Sequence, residues 1–339
     1  LDIFNPETGK YLHYTDKKSG FSSLVHNYIT AIIEDSRGNL WIGTLDSGLV
    51  KYNPATKEFQ QFKYEKSNIK SLLSNHINSI YEDQDGTLFI GTNLGGLHTY
   101  NYSYNSIVRL PDNSTDFQNL RAPVSKGPVF GQNGGIAILK RTGDESLWLG
   151  TSNGGIKVYD NNFSRFNLFI NDPLDNTSLS DDYVTTIFED NQNNIWLGTI
   201  SRGLMKVVPS QSLFKPNGNN LDLLNTLKEK QIRAIYESNN GNLWIGTIDG
   251  LLLEYDPQKK IIKEFKSDLA NGSKHKLSGP DIDAIYEDKE GIVWIGTFSG
   301  VDKYDPKKAT VNHIQVKYQN NINDFNLDIE AIIVADNEN

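Results

Sequence analysis

The stretch "NLWIGTLDSGLVKYNP", Asn39 to Pro54, returns in altered form as "TLFIGTNLGGLHTYN" from Thr87, then as "SLWLGTSNGGIKVYD", "NIWLGTISRGLMKVV", "NLWIGTIDGLLLEYD" and "IVWIGTFSGVDKYDP". Its aromatic falls at Trp41, Phe89, Trp148, Trp196, Trp244 and Trp294, so successive steps are 48, 59, 48, 48 and 50 residues. A self-similar period of this length marks a stacked-repeat architecture, and about 48 residues is one four-stranded blade.

Working outward from the aromatic, an apolar residue stands twelve positions earlier in every unit: Ile29, Ile77, Ile136, Val184, Ile232 and Ile282. Another stands nine positions earlier, from Ile32 to Ile285, with a small residue such as Ala31, Ala234 or Ala284 between them. This run is the innermost strand. A hairpin follows in which Gly38, Gly86, Gly241 and Gly291 supply positive φ, and Asn193 takes that role in the fourth unit. "LWIGT" is the second strand, "GLVKY" the third, and "NPATKEF" turns into an outer strand ending at Phe62. Such a unit cannot bury both of its faces alone, so neighbouring units must stack, and the expected fold is an all-β propeller of four-stranded antiparallel blades.

The chain ends suggest a seventh blade. Residues 1–14, "LDIFNPETGKYLHY", align without a gap on 49–62 and read as the two outer strands of a blade. Residues 328–336, "DIEAIIVAD", align with an innermost strand, and the matching aromatic would fall at position 341, past the last residue. The expectation is a single domain over residues 1–339, with six complete blades and an incomplete seventh assembled from both termini, as a fragment of a longer polypeptide. Pairing of the ends would remove exposed sheet edges.

"AIIEDSRGNLWIGTLDSGLVKYNPATKEF", with inter-blade segments such as "NIKSLLSNHI" and "DNTSLSDDYV", resembles the two-component regulator propeller repeat. The resemblance covers nearly the whole chain. It implies the periplasmic sensor domain of a Bacteroidetes hybrid two-component system, membrane-anchored, homodimeric, and coupled to a histidine kinase and DNA-binding parts outside this sequence. It further implies a response to oligosaccharides, carbohydrate sensing for signal transduction, and no catalysis by this domain.

Composition agrees. A net charge of -9 argues against nucleic acid or an anionic membrane as a partner of this segment. Without cysteine there is no disulfide framework and no thiolate chemistry. No apolar run is long enough to span a bilayer. The six histidines show no metal spacing, no G-x-S-x-G elbow appears, and no cofactor or metal is expected. Glu34, Glu82, Glu189, Glu237 and Glu287 recur at the end of the inner strand and could ring a metal, but read better as structural acceptors near the first hairpin, as do the six threonines of the G-T step. The tryptophans read as blade packing.

A unique ligand on a repetitive scaffold needs groups that break the repeat, and these stand at the channel mouth, on the loops flanking the inner strands. The residue before each inner strand reads Tyr28, His76, Gly135, Tyr183, Gln231 and Asp281, and the loops after the G-T step offer Asp46, Asn93, Asn153, Arg202, Asp249 and Phe298. The candidate ligand-binding residues are Tyr28, His76, Tyr183, Arg202, Gln231, Asp249, Asp281 and Phe298, with an insertion over residues 110–135 beside them. Aromatic faces with planar polar groups suit a saccharide. The alternatives are an interaction or dimerisation scaffold with recognition in another domain, and a propeller lyase or glycosidase, which needs a converging acid and base.

Overall fold

The computed structural model describes residues 2–5, 10–13 and 28–314, apart from 69, 84, 94–95, 110–135, 142–144, 160–165, 176, 209–212, 216–220 and 269–273. These residues form six four-stranded antiparallel sheets, each with its strands in simple sequence order. They are the blades at 29–62, 77–109, 136–169, 184–215, 232–266 and 282–314. The fold is of the β-propeller type, with six blades rather than the seven expected from the termini. The terminal hairpin is present, Asp2–Asn5 against Lys10–His13, but as a two-stranded sheet of its own. The physical reason is that a hairpin joins a blade only through a strand on its inner edge, and among the described residues no strand pairs with this hairpin. Its expected inner strand, 328–336, and the 110–135 insertion both lie outside the described residues.

The second strand is the core of every blade. All five residues of Leu40–Thr44, Leu88–Thr92, Leu147–Thr151, Ile195–Thr199, Leu243–Thr247 and Val293–Thr297 are buried. Each closing threonine is spent locally: its hydroxyl donates to the carbonyl three or four residues on, as from Thr44 to Gly48 at 2.8 Å and from Thr297 to Gly300 at 3.0 Å. The other four do the same. At the preceding hairpin a carboxylate organises the turn. Asp190 accepts from the N–H groups of Gln192 and Asn194, from the Asn194 amide, and from Trp196 Nε1 at 2.8 Å. Asp35 does this for Trp41 and Asp288 for Trp294. Asn193 sits at φ +61° in this turn, as its αL tolerance allows.

The chain divides into two compact units, 1–136 and 137–339. In the first, the blade at 29–62 stacks on that at 77–109. Thr30 donates to the Ile77 carbonyl at 2.6 Å, the Ser36 N–H donates to Glu82 Oε2 at 2.6 Å, and Trp41 meets Tyr100 edge-on at 4.5 Å. In the second unit the same joints recur: Thr185 to Ile232 O, Asn191 N–H to Glu237, and Asn239 N–H to Glu287. The inter-blade approach is close enough to demand glycine, since a Cβ on Gly246 would lie 2.6 Å from the Ile282 side chain. The sequence reading did not anticipate a short helix, Leu221–Leu227, between the fourth and fifth blades. It buries Leu223 and Leu227 in the joint with Trp196 and Tyr255.

Candidate functional site

One backbone contact repeats at the crossing end of the blades. In four blades the residue before the inner strand accepts, through its carbonyl, the N–H that follows the G-T step: Tyr28 from Leu45, His76 from Asn93, Tyr183 from Ile200 and Gln231 from Ile248; in the sixth blade Pro280, one residue earlier, accepts from Phe298. This bond holds the start of the inner strand and the loop after the second strand side by side in five blades, the residue before the third inner strand lying outside the described residues. The sequence-predicted residues of one blade are therefore neighbours: His76 with Asn93, Tyr183 with Arg202, Gln231 with Asp249. Their main chain is fixed while their side chains differ.

In the first unit, Tyr28 is 61% exposed. His76 Nδ1 lies 3.3 Å from the Asn93 amide, and burial holds its imidazole below the ordinary range, partly opposed by nearby Asp46. In the second unit, the Tyr183 N–H donates to Asp181, whose other oxygen accepts from the Ser201 hydroxyl at 2.6 Å, beside exposed Arg202. Asp249 is ion-paired with Lys230, and its Oδ1 lies 2.6 Å from Thr247 Oγ1, whose one proton is shared between this carboxylate and the Leu251 carbonyl. Asp281, in the left-handed region at φ +55°, donates its N–H to the Ile248 carbonyl and so ties the sixth blade to the fifth. Its carboxylate takes Arg233 at 2.9 and 3.2 Å, and Arg233 also reaches Asp283 at 3.1 Å. Phe298 is half-buried.

Sequence reasoning missed Lys230, Arg233 and Asp283. Arg233 and Asp281 are 48 residues apart, one repeat period, so an offset-by-period scan for opposite charges would have found the pair.

For chemistry, the arrangement offers hydrogen bonding and charge rather than a proton relay. Ser278, Asp302 and His313 do converge: Ser278 Oγ donates to Asp302 Oδ2 at 2.9 Å, and His313 Nδ1 lies 3.3 Å from Asp302 Oδ1. The order is wrong for nucleophilic catalysis, because the carboxylate stands between serine and imidazole and the histidine has no contact through which to take the hydroxyl proton. Burial raises the Asp302 carboxyl, partly offset by the bonds from Ser278 and His313. Among the described residues no cluster of three or more His, Asp or Glu could hold a metal. Glu82, Glu237 and Glu287 are the inter-blade acceptors described above, which accounts for three of the recurring glutamates.

The two-component regulator propeller repeat matches residues 23–46, 71–94, 178–201, 226–249 and 276–299. No curated protein matches the chain. Among solved structures, it is similar to the extracellular domain of the proposed hybrid two-component system BT3049 from B. thetaiotaomicron, with a TM-score of 0.58 at 18% identity. That match covers 91% of this chain and 44% of that one, so this chain spans less than half of it. The extracellular domain of BT4673 from the same organism matches at 24% identity and a TM-score of 0.46, over 92% of this chain and 38% of that one. Catalytically inactive virginiamycin B lyase from Staphylococcus aureus matches with a TM-score of 0.57 at 12% identity, over 94% and 89%. At 18% and 12% identity, the likenesses to the BT3049 domain and to the lyase show the fold alone. The five matched segments each run across an inner strand, its hairpin and the buried second strand, so over these segments the chain is similar to the two-component regulator propeller repeat.

Proposed function

We propose that this chain is the non-catalytic, extracytoplasmic sensor propeller of a hybrid two-component system, periplasmic and carried by a membrane-anchored homodimer. It binds an oligosaccharide through the crossing ends of its blades and signals to a histidine kinase. One observation carries the reading. The polar groups that repeat, such as the G-T threonines, Asp35, Asp190 and Glu82, are occupied by bonds within and between blades, whereas two of the groups that vary, Tyr28 and Arg202, are exposed on a fixed backbone. Variable, exposed donors and aromatic faces on a rigid frame are what selective recognition of a neutral polyhydroxyl ligand requires. The match to the two-component regulator propeller repeat supports the signalling role.

The test is a panel of oligosaccharides followed by both melting temperature and product analysis. A ligand at one hundred times its dissociation constant stabilises by about 2.7 kcal/mol. Loss of that gain in Arg202→Ala or Tyr183→Ala, with the unliganded melting point unchanged, supports recognition at this end. Catalytic turnover of any sugar overturns the non-catalytic reading. No response to the whole panel favours a scaffold that dimerises or transmits while another domain reads the ligand.

A further inference from the structure

At the hairpin-turn end of the fourth and fifth blades lies a groove of about 890 Å³. It is lined by Trp196, Lys206, Asp190, Gln192, Tyr255 and Pro257, with the Asn239–Asn242 turn along its far wall. Strand register aligns this joint with the one between the first and second blades: Trp41 pairs with Lys51 as Trp196 does with Lys206, and Leu88 pairs with Tyr100 as Leu243 does with Tyr255. Two residues past each of those tyrosines stand Tyr102 and Pro257.

In the first joint the space is filled by the protein itself. The Tyr102 hydroxyl donates to Asp35 Oδ2 at 3.0 Å, and its ring stands edge-on to Tyr100 at 4.8 Å and to Trp41 at 6.4 Å. Arg37 lies 3.7 Å from the ring centroid and Lys51 Nζ 5.6 Å. In the fourth-to-fifth joint the receiving groups persist. Asp190 keeps the same bonds from its own turn and from Trp196 Nε1, and Lys206 Nζ stands 4.9 Å from the Trp196 ring. The occupant and its nearest cation differ: Pro257 has neither an aromatic face nor a hydroxyl, and Gln192 stands where Arg37 packs on Tyr102. Asp190 Oδ2 therefore has the geometry of a phenol acceptor without its phenol.

We infer that this groove binds a phenolic ring from another molecule, its hydroxyl on Asp190 Oδ2 and its face toward the Lys206 cation, as Tyr102 is bound by Asp35 and Lys51. The cation beside the ring position favours an aromatic ring over a saccharide. The volume exceeds one ring, leaving room for a polar substituent along the Asn239–Asn242 wall. A tyrosyl side chain and a free phenol share this chemistry. The inference is independent of ligand binding at the crossing end.

Titration of the whole chain with p-cresol, toluene and N-acetyl-tyrosinamide, read by calorimetry and tryptophan fluorescence, tests it. One saturable site for the phenols is expected, with toluene about tenfold weaker for want of a hydrogen bond to a carboxylate. Pro257→Tyr, which supplies the missing occupant, should abolish binding, and Tyr102→Ala should raise the stoichiometry from one to two. Tighter binding of the tyrosinamide assigns a peptide source and tighter p-cresol a free phenol. Absence of phenol binding, equal affinity for toluene, or binding that persists in folded Pro257→Tyr overturns the inference. Should Pro257→Tyr not fold, a stoichiometry that stays at one in folded Tyr102→Ala overturns it as well.

Discussion

Replacing Asp190 by alanine removes the acceptor around which a whole hairpin is ordered. The carboxylate receives Gln192 N–H at 2.9 Å, Asn194 N–H at 2.8 Å, the Asn194 amide, and Trp196 Nε1 at 2.8 Å. Asn194 and Trp196 are buried, so their donors lose a partner in a place water reaches only through the adjoining groove. At about 1–3 kcal/mol per orphaned buried donor, with partial rescue by water, the expected loss is about 3 kcal/mol. For a unit of about 200 residues this lowers the melting temperature by roughly 6–12 °C. Asp190→Asn keeps an oxygen for the two backbone N–H groups but turns an amide toward Trp196 Nε1, and should cost about half as much. Urea unfolding followed by tryptophan fluorescence gives both values. A loss below about 1 kcal/mol in Asp190→Ala, or a larger loss in the asparagine variant, would refute the claim that this carboxylate is the hairpin's organiser.

Gly246→Ala places a methyl 2.6 Å from the Ile282 side chain and 2.8 Å from its carbonyl, so it should destabilise by about 1–3 kcal/mol; a neutral melting curve would show the joint to be slack. Trp244→Ala removes a buried ring that touches Phe265 and Tyr304, with an expected loss of about 3–5 kcal/mol in denaturant titration whether or not ligand is present. His98 is fully buried, its Nε2 accepts the Leu73 N–H, and burial lowers its pKa to about 4. The imidazole is therefore neutral in the fold and charges first in the unfolded chain. Its contribution is fully present above pH 6.5 and declines as pH falls to about 4, by up to about 3 kcal/mol. His98→Gln should flatten that limb of the stability profile, and an unchanged slope would rule the histidine out as its source.

The repeat phrase made most of the scaffold legible because packing imposes the same residue at the same place in each blade. The innermost strands begin twelve residues before the aromatic as expected, and Asn193 does stand in for glycine at positive φ. The Asp–Trp bond was also written in the sequence, as a constant spacing of six residues at Asp35, Asp190 and Asp288, with Thr142 and Ser238 as the exceptions. The helix Leu221–Leu227 was missed although Leu223 and Leu227 stand at i,i+4, since a strand-period reading ran past them. The six complete blades were legible, but the incomplete seventh is not among the described blades, because similarity between segments identifies strands and does not show that they pair: the terminal hairpin is a sheet of its own. At the crossing end, residue identities could be read but partners could not. Arg233 chooses Asp281 and Asp283 across a joint, and a contact between repeats is invisible to a comparison within one.

The clamp from a turn N–H to the next blade's glutamate has a consequence for how such a chain can change. Ser36 to Glu82, Asn191 to Glu237 and Asn239 to Glu287 are one joint used three times, and each donor is a main-chain group that any residue supplies. A blade thus offers its successor the same socket whatever its own side chains are. Excising the 48 residues between equivalent points of the fourth and fifth blades would bring the Asn191 N–H to Glu287 and keep this clamp, while Thr185 would stand where Arg233 meets Asp281. Insertion of a further unit would meet no mismatched edge. Gene-level duplication and loss are thereby buffered at the joints, and the variable loops can diversify on a frame indifferent to the order of its parts.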